Sequence, residues 1–398
     1  MSNLKTLLAT LCLGFAMTAS AQQTVTIKGK VKFIEPDFTV KVYQYSGTDK
    51  KVLAETPVNA DHSYTLTVPV EKAGDAVVDC GGWQAVDVWL EDENMDIDFR
   101  GLDTAKIKIK NPPYVYIRAG KKNELMNLVN FHAYRSYQTM IAISQNVYKA
   151  KIEDQKKSQQ LAMSLYDASG EDSDAWMRYL TEHYSDLTSV LVPLSRLDEE
   201  KDADIINAAL AKLESTSATA KQLVADFRKA RAEAKEKRER MKEGKPAPEF
   251  TFQNVKGKTV SLSKLKGKVI VLDFWASWCG PCRQEIPHLK KYYEEFKGKG
   301  VEFLSVSIDA KKDAWTKAMK EEGMAWMQGW TPDAGKSVMD TYQFGGIPFI
   351  ILIDKAGNIY RKNLRGEEVK KAIEDCLAGK PVQAPKVIGG MGMMGAAM

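Results

Sequence analysis

The sequence has few cysteines and histidines and a single long apolar run. Its 398 residues include five cysteines and four histidines. After the first twenty residues no stretch is apolar enough to span a bilayer, which predicts a soluble mature protein. The histidines are scattered without metal-ligand spacing, which argues against a histidine-based metal site; they are His62, His132, His183 and His288.

The first 21 residues have the pattern of a cleaved secretory signal. Lys5 supplies positive charge, residues 7–17 are largely apolar, and Ala19-Ser20-Ala21 is a small-residue cleavage site. The pattern predicts export to the periplasm or cell envelope. Cleavage would leave four cysteines, too few for a fold built on disulfides; they are Cys80, Cys279, Cys282 and Cys376.

The net charge of +5 is concentrated in one segment. Residues 228–245 hold nine Lys or Arg and four Asp or Glu, so the rest of the chain is close to neutral. A nucleic-acid-binding protein would spread its basic groups over a binding face. We therefore expect no nucleic-acid partner and interpret this segment as a solvated, charged linker helix.

Residues 22–115 are predicted to form an all-β, sandwich-like domain. Polar and apolar residues alternate over short stretches separated by turns, at near-regular spacing. These stretches are Thr24–Val31, Phe38–Tyr45, Ser63–Val68 and Ile107–Ile109.

Residues 116–245 are predicted to be helical, with apolar residues at helical spacing and little glycine or proline. Ser169-Gly170, followed by Asp172-Ser173-Asp174, predicts a break and a new helix start. Pro193 predicts another interruption. The glycine- and methionine-rich residues 386–398 lack periodicity and are predicted to be disordered.

The stretch Trp278-Cys279-Gly280-Pro281-Cys282 is the strongest motif of the chain. It follows an apolar, β-branched run, residues 269–274, and precedes a helical pattern. Gly-Pro suits a first helical turn. Over residues 246–385 the pattern predicts the order β, β, β, α, β, α, β, α, β, β, α.

A cysteine pair of this spacing is either a redox dithiol or half of a zinc site. Zinc would require two further ligands, and no second pair is present. At a helix start, unpaired N–H groups and the helix dipole favour a thiolate on Cys279. Cys279 is therefore the predicted nucleophile and the more exposed thiol, and Cys282 the thiol that resolves the mixed disulfide. Cys80 and Cys376 are expected to be buried and inert, or else bridged to each other.

About a third of the chain resembles the TlpA/ResA-like thiol-disulfide oxidoreductases, which have a thioredoxin-like α/β fold. A small β-rich domain often precedes such modules in envelope proteins. The matching stretches are Gly244–Phe250, Val260–Lys268, Leu272–Pro287 and Phe344–Phe349.

The resemblance implies roles for residues around the cysteines. Asp273 matches a buried acid that takes the proton from Cys282, the alternative being a solvated carboxylate. Glu285 matches a glutamate that tunes thiol acidity, the alternative being an ordinary surface residue. The expected substrate-binding residues are Trp278, Gly280 and Pro281 beside the cysteines, and Ile347 with a cis Pro348 facing them.

The sequence thus predicts a multidomain, exported thiol-disulfide oxidoreductase without cofactor or metal. Its Gly-Pro spacing is that of thioredoxin, a reductant of about −270 mV, so we predict a reductase and leave the direction of electron flow open. The resemblance implies a membrane thiol carrier as donor, and apocytochrome c or other oxidised envelope proteins as substrates. The N-terminal or helical region is the candidate surface for self-association.

Two alternatives remain open at this stage. Residues 245–268 also resemble peroxiredoxin-like peroxidases, although Ala276 and Leu272 occupy positions where those proteins have Thr or Ser and Pro. The other alternative is an envelope adaptor that binds a partner and carries an accessory redox module.

Overall fold

The computed structural model describes residues 23–46, 49–102, 113–148 and 154–382. The predicted signal, the predicted strand Ile107–Ile109 and the predicted disordered tail lie outside these ranges. The strands are β1 (Thr24–Phe33), β2 (Thr39–Ser46), β3 (Asp49–Pro57), β4 (Ser63–Pro69), β5 (Gly74–Cys80), β6 (Gln84–Leu90), β7 (Met95–Ile97), β8 (Phe99–Gly101), β9 (Ile117–Arg118), β10 (Thr251–Asn254), β11 (Thr259–Ser261), β12 (Val269–Trp275), β13 (Val301–Ser307), β14 (Met327–Trp330), β15 (Phe349–Ile353) and β16 (Ile359–Lys362). The α-helices are α1 (Lys121–Ile143), α2 (Gln155–His183), α3 (Leu191–Ser195), α4 (Ala203–Glu214), α5 (Ala218–Arg240), α6 (Gly280–Phe296), α7 (Lys312–Glu321), α8 (Lys336–Tyr342) and α9 (Glu367–Leu377).

Residues 23–118, the N-terminal β region, form two sheets. One has the order β4-β1-β7-β9, with β8 also paired to β1, and the other has the order β3-β2-β5-β6. In β1 the side chains of Val25, Ile27 and Val31 are buried, as alternation along a half-buried strand requires. The predicted β-rich, sandwich-like character is confirmed.

Two asparagine side chains of α1 form hydrogen bonds with the backbone of β6 and β9. Asn123 accepts from the N–H of Trp89 at 2.8 Å and donates to its carbonyl at 3.0 Å. Asn127 bonds the N–H and carbonyl of Ile117 in the same way, at 2.9 and 2.8 Å. Each amide satisfies two buried backbone groups that would otherwise lack partners.

The prediction of a helix break at residues 169–174 is wrong. Helix α2 continues through them from Gln155 to His183. A side chain at Gly170 would meet open space, and Asp172 and Asp174 are exposed. One glycine costs a helix about 1 kcal/mol relative to alanine, which a helix of this length tolerates.

Pro193 is predicted to interrupt a helix, but it lies near the start of one. The proline lies inside the short helix α3, at its third residue. Proline is tolerated in the first turn because the N–H groups there have no helical partner. The chain thus begins a new helix at this point.

The described chain separates into two compact units. One combines residues up to 138 with residues 177–206, and the other combines residues 139–176 with residues from 207 onward. No helix among the described residues is long and apolar enough to cross a membrane.

The second unit contains a mixed sheet formed by residues 251–362, with the order β11-β10-β14-β13-β12-β15-β16. Strands β12, β13 and β14 are parallel. Strand β15 pairs antiparallel with β12, and β16 pairs antiparallel with β15. The predicted order of eleven elements and the thioredoxin-like α/β fold are confirmed. We call residues 241–382 the C-terminal module, because its core draws on residues from Met241 onward.

Strand β12 is buried along its whole length. Buried side chains of α6, α7 and α9 share one core with it, among them Ile286, Trp315 and Ile373. A strand in the middle of such a sheet has apolar residues at successive positions. Asp273 is the one ionisable residue in this run, and the strand leads directly to the loop that carries Cys279.

Candidate active site

Cys279 and Cys282 form a disulfide at the start of α6, with Cα atoms 5.3 Å apart. Cys279 is the N-cap residue, and its Sγ accepts from the N–H of Cys282 at 3.2 Å. Pro281 lies in the first helical turn, as its missing N–H favours. The sulfur that the sequence assigns as nucleophile therefore faces a helix N-terminus.

The disulfide is covered, while the tryptophan before it is exposed. Cys279 is 4% exposed and Cys282 is 2% exposed, so the expected greater exposure of Cys279 amounts to very little in the disulfide form. Trp278 is 68% exposed and presents an apolar surface beside the pair. Gly280 and Pro281 are exposed as well.

The loop opposite the cysteines carries the predicted cis peptide bond, between Ile347 and Pro348. The carbonyl oxygen of Ile347 lies 3.6 Å from the Sγ of Cys279. The structure thus brings together the cysteine pair and the loop expected to bind substrate.

Asp273 is buried, as expected, with 3% exposure. Its Oδ2 accepts a hydrogen bond of 2.9 Å from the hydroxyl of Ser305, which in turn accepts one of 2.9 Å from the indole N–H of Trp326. Burial raises the pKa of Asp273 to about 7, against the opposing effects of the Ser305 hydroxyl and the Arg365 charge. The nearby charge of Glu285 contributes to this rise. A solvated carboxylate is excluded.

Glu285 is half-buried on α6 and accepts a 2.9 Å hydrogen bond from the N–H of Gly366. It thereby links the cysteine helix to the loop between β16 and α9. This hydrogen bond and its partial burial distinguish it from a fully exposed glutamate, while its role in thiol acidity stays a prediction.

Sequence reasoning missed Asp309, which is buried at the end of β13. Its carboxylate accepts from the N–H and the hydroxyl of Ser277, at 2.9 and 2.6 Å, and from the hydroxyl of Ser307 at 2.7 Å. It therefore holds the loop that leads into Cys279. The available signal was its place just after a buried strand parallel to β12, since such strand ends meet at one sheet edge.

Arg365 was also missed. Its guanidinium donates to the carbonyl of Pro348 and, at 2.7 Å, to that of Leu364. No local motif marks this residue, which precedes Gly366 in an irregular loop.

The two remaining described cysteines are free, so they do not bridge each other. Cys80 is buried and Cys376 is half-buried, less than expected. Burial raises the pKa of the Cys80 thiol to about 12 and that of Cys376 to about 11. Both thiols are thus poor nucleophiles at neutral pH.

Within the described ranges, no group of three or more His, Cys, Asp or Glu side chains has the arrangement of a metal site. The site combines a disulfide at a helix start with a buried carboxyl on the strand that leads to it.

Comparison with known proteins places the similarity in the C-terminal part of the chain. The Redoxin family matches residues 242–377. The thiol-disulfide oxidoreductase ResA of Bacillus cereus is 35% identical over 140 residues, which are 35% of this chain and 79% of ResA. ResA of Bacillus subtilis is 34% identical over 138 residues, or 75% of its length.

Solved structures of similar sequence cover a comparable share of the chain. The thioredoxin domain of a thiol-disulfide oxidoreductase from Bacteroides vulgatus is 39% identical and matches 34% of this chain and 96% of its own, with a TM-score of 0.33. A thiol:disulfide interchange protein from Bacteroides sp. is 39% identical over 35% of this chain and 91% of its own, with a TM-score of 0.33.

Proposed function

Because the chain belongs to the family of ResA-like thiol-disulfide oxidoreductases, we propose that it reduces disulfides of exported proteins through Cys279 and Cys282. The observation that carries the proposal is the Cys279–Cys282 disulfide at the start of α6, with the Sγ of Cys279 next to the Ile347 carbonyl.

In the first step the Cys279 thiolate attacks a substrate disulfide. The substrate S–S bond breaks, a bond forms between Cys279 and one substrate sulfur, and the other substrate sulfur leaves as a thiolate. The helix N-terminus favours the attacking thiolate. An extended substrate segment binds beside the half-buried Ile347, and the exposed Trp278 offers an apolar contact.

In the second step Cys282 attacks the Sγ of Cys279 and releases the second substrate thiolate. Two electrons have then passed to the substrate, and the enzyme holds its own disulfide. Cys282 must lose a proton to attack. Asp273 accepts this proton, because a carboxyl whose pKa lies near 7 exchanges protons readily at neutral pH. The charge of Glu285 raises the pKa of Asp273, which makes the ionised carboxyl a stronger proton acceptor.

The enzyme disulfide must be reduced again, and we assign this to a membrane thiol carrier in the cell envelope. The apolar N-terminal run and Ala19-Ser20-Ala21 support export. An oxidising envelope supplies disulfide substrates, and apocytochrome c is one of the proposed clients.

The experiment is reduction of insulin disulfides by the full-length mature protein, with dithiothreitol as electron donor. We expect catalysis well above the rate with dithiothreitol alone, and no consumption of hydrogen peroxide. Insulin reduction at the background rate would contradict the proposal, and peroxide turnover would favour the peroxidase alternative.

A further inference from the structure

The loop between β16 and α9 bonds to two segments next to the disulfide, the Ile347–Pro348 loop and α6. Through Arg365 it donates to the carbonyl of Pro348, the residue after Ile347, whose own carbonyl lies 3.6 Å from the Sγ of Cys279. Through the N–H of Gly366 it bonds Glu285 on α6, on the side of the cysteine helix. Its Leu364 N–H bonds the carbonyl of Ile350 at 3.1 Å, which fixes it to β15 just after Pro348. One short segment therefore joins the substrate-facing loop to the cysteine helix.

The guanidinium of Arg365 suits this place because of its shape. It donates to two carbonyls at once, those of Pro348 and Leu364, from two different nitrogens. A planar, rigid fork fixes two acceptors relative to each other, whereas a lysine ammonium is a point charge on a flexible stem. The fork sets the position of the Pro348 carbonyl, and with it the adjacent Ile347.

The charge of Arg365 acts on the buried carboxyl of the same site. It favours the ionised form of Asp273, in the same direction as the Ser305 hydroxyl on β13 and against the charge of Glu285 on α6. In a buried site of low dielectric, one cation has a larger effect than it has in water. Arg365 thus acts on the substrate-facing loop and on the proton acceptor.

We propose that Arg365 is a positioning residue that couples the Ile347–Pro348 loop to Asp273. One side chain thereby acts both on the loop that binds substrate and on the carboxyl that accepts the proton of Cys282. This proposal rests on the proposed function, in which Asp273 accepts the proton of Cys282. It assigns two separable tasks to Arg365: its fork holds the loop, and its charge keeps Asp273 available as a base.

Two substitutions separate these tasks in the full-length protein. Arg365→Lys keeps the charge and loses the fork, whereas Arg365→Gln loses both. Lys371→Gln is the matched control, because it removes one positive charge from an exposed side chain of α9. Thermal unfolding of every variant checks that it is folded.

The first readout is the titration of Asp273, followed by carboxyl ¹³C NMR in protein labelled at aspartate and assigned with Asp273→Asn. Removal of a nearby cation should raise this pKa, so we expect Arg365→Gln to shift the midpoint upward by roughly 0.5 to 1 pH unit. Arg365→Lys and Lys371→Gln should leave the midpoint within about 0.2 unit of the wild type. This readout does not depend on activity.

The second readout is single-turnover reduction of fluorescently labelled insulin by the reduced protein. Loss of one charge-assisted hydrogen bond should raise the half-saturating insulin concentration about tenfold in both Arg365 variants. The plateau rate, which reports resolution, should shift its pH dependence in Arg365→Gln alone.

An unchanged Asp273 midpoint in Arg365→Gln, or an unchanged half-saturating concentration in Arg365→Lys, would overturn the proposal. So would equal midpoint shifts in Arg365→Gln and Lys371→Gln. Failure of the wild type to reduce insulin would contradict the proposed function instead, and the NMR titration would still decide whether Arg365 acts on Asp273.

Discussion

Two buried side chains that contact the N-terminal β region and two in the C-terminal module differ in charge. With α1, the first region buries neutral amides, and Asn123 and Asn127 each bond both backbone groups of one residue. The C-terminal module buries the carboxyls of Asp273 and Asp309 beside the cysteine loop.

The difference follows from the cost of each burial. An amide remains neutral, so two hydrogen bonds to backbone compensate for its loss of water. A carboxylate loses much more when it is buried, and its pKa rises unless hydrogen bonds and cations compensate. Asp273 keeps part of this cost, which gives it a pKa near 7 and suits it to the proposed proton transfer. The comparison teaches that Asn123 and Asn127 serve to complete backbone hydrogen bonding, whereas the partly compensated charge of Asp273 suits it to the proposed chemistry.

The largest expected effect concerns the two cysteines. Cys279→Ser should abolish insulin reduction, because it removes the attacking sulfur. Cys282→Ser should accumulate a mixed disulfide with substrate, visible on non-reducing gels and by mass spectrometry, because the resolving sulfur is gone. The control is Cys376→Ser, a free thiol outside the site, which should retain wild-type activity. Trapping by the Cys279 variant would reverse the roles.

The next prediction removes the buried charge. Asp273→Asn should slow resolution at pH 7 by roughly 10²-fold, since it removes a general base. Resolution is measured by single-turnover insulin reduction. The exposed carboxyl of Asp313 in α7 provides the control, because Asp313→Asn should change nothing. Equal resolution rates for Asp273→Asn and wild type from pH 6 to 9 would show that the acid is only structural.

The same variant should change stability with a definite sign. The pKa of Asp273 is higher in the folded protein than its ordinary value of 3.8, so its neutral form is favoured by folding and stability falls as the pH rises toward and through 7. At pH 8 Asp273→Asn should be more stable than wild type by up to about 4 kcal/mol, and at pH 4 the two should be equal. Urea denaturation at both pH values measures this, and equal stability at pH 8 would contradict the assigned burial cost.

Removal of a buried amide that contacts the N-terminal β region should lower the stability of the protein instead of raising it. Asn123→Ala leaves the Trp89 N–H and carbonyl without these partners and should destabilise the protein by roughly 2 to 4 kcal/mol. Its effect should not depend on pH, and the resolution rate should stay at the wild-type value. Asn130→Ala on the same helix removes one bond, to the Asp87 carbonyl, and should cost about 1 kcal/mol. A pH-dependent loss in Asn123→Ala would break the comparison between the regions.

A smaller effect should come from the hydroxyl that compensates Asp273. Ser305→Ala removes a hydrogen bond that favours the ionised carboxyl, so the pKa of Asp273 should rise by roughly 1 unit or less. The pH dependence of resolution should shift upward accordingly. Ser305→Thr keeps the hydroxyl on a strand that accepts β-branched residues and should restore the wild-type profile. Identical profiles for alanine and threonine would exclude this role.

The smallest effect on insulin reduction is expected from truncation. The core of the C-terminal module contains residues from 241–382 alone. Lys237 binds Asp340 of that module, and Glu243 accepts a hydrogen bond from the N–H of Lys362. A fragment of residues 235–398 should therefore fold and reduce insulin at about the wild-type rate. If the preceding residues serve self-association, light scattering should show that the fragment no longer associates. If they serve capture of an envelope partner, trapping in a Cys282→Ser background should fail for the fragment. A folded but inactive fragment would show that the preceding residues take part in the chemistry.

Prediction from the sequence succeeded where the signal was local. The apolar run at β12, the turn residues and the helical periodicities gave the order of the eleven elements between Thr251 and Leu377. It failed at residues 169–174, because glycine, serine and aspartate favour caps but do not end a helix whose exposed face they occupy.

Within the site, the sequence by itself determined the cysteine pair at the end of a strand and the start of a helix, because Val269–Phe274, Gly280 and Pro281 encode that local geometry. Asp273 and Pro348 were found through family resemblance. Tertiary structure alone decided the contacts of Asp273 with Ser305, of Ser277 with Asp309, and of Arg365 with the Pro348 carbonyl. The first two pairs are 32 residues apart and the third is 17 apart. Such contacts depend on which strand ends and loops meet at one edge of the sheet, and no periodicity along the chain records that meeting.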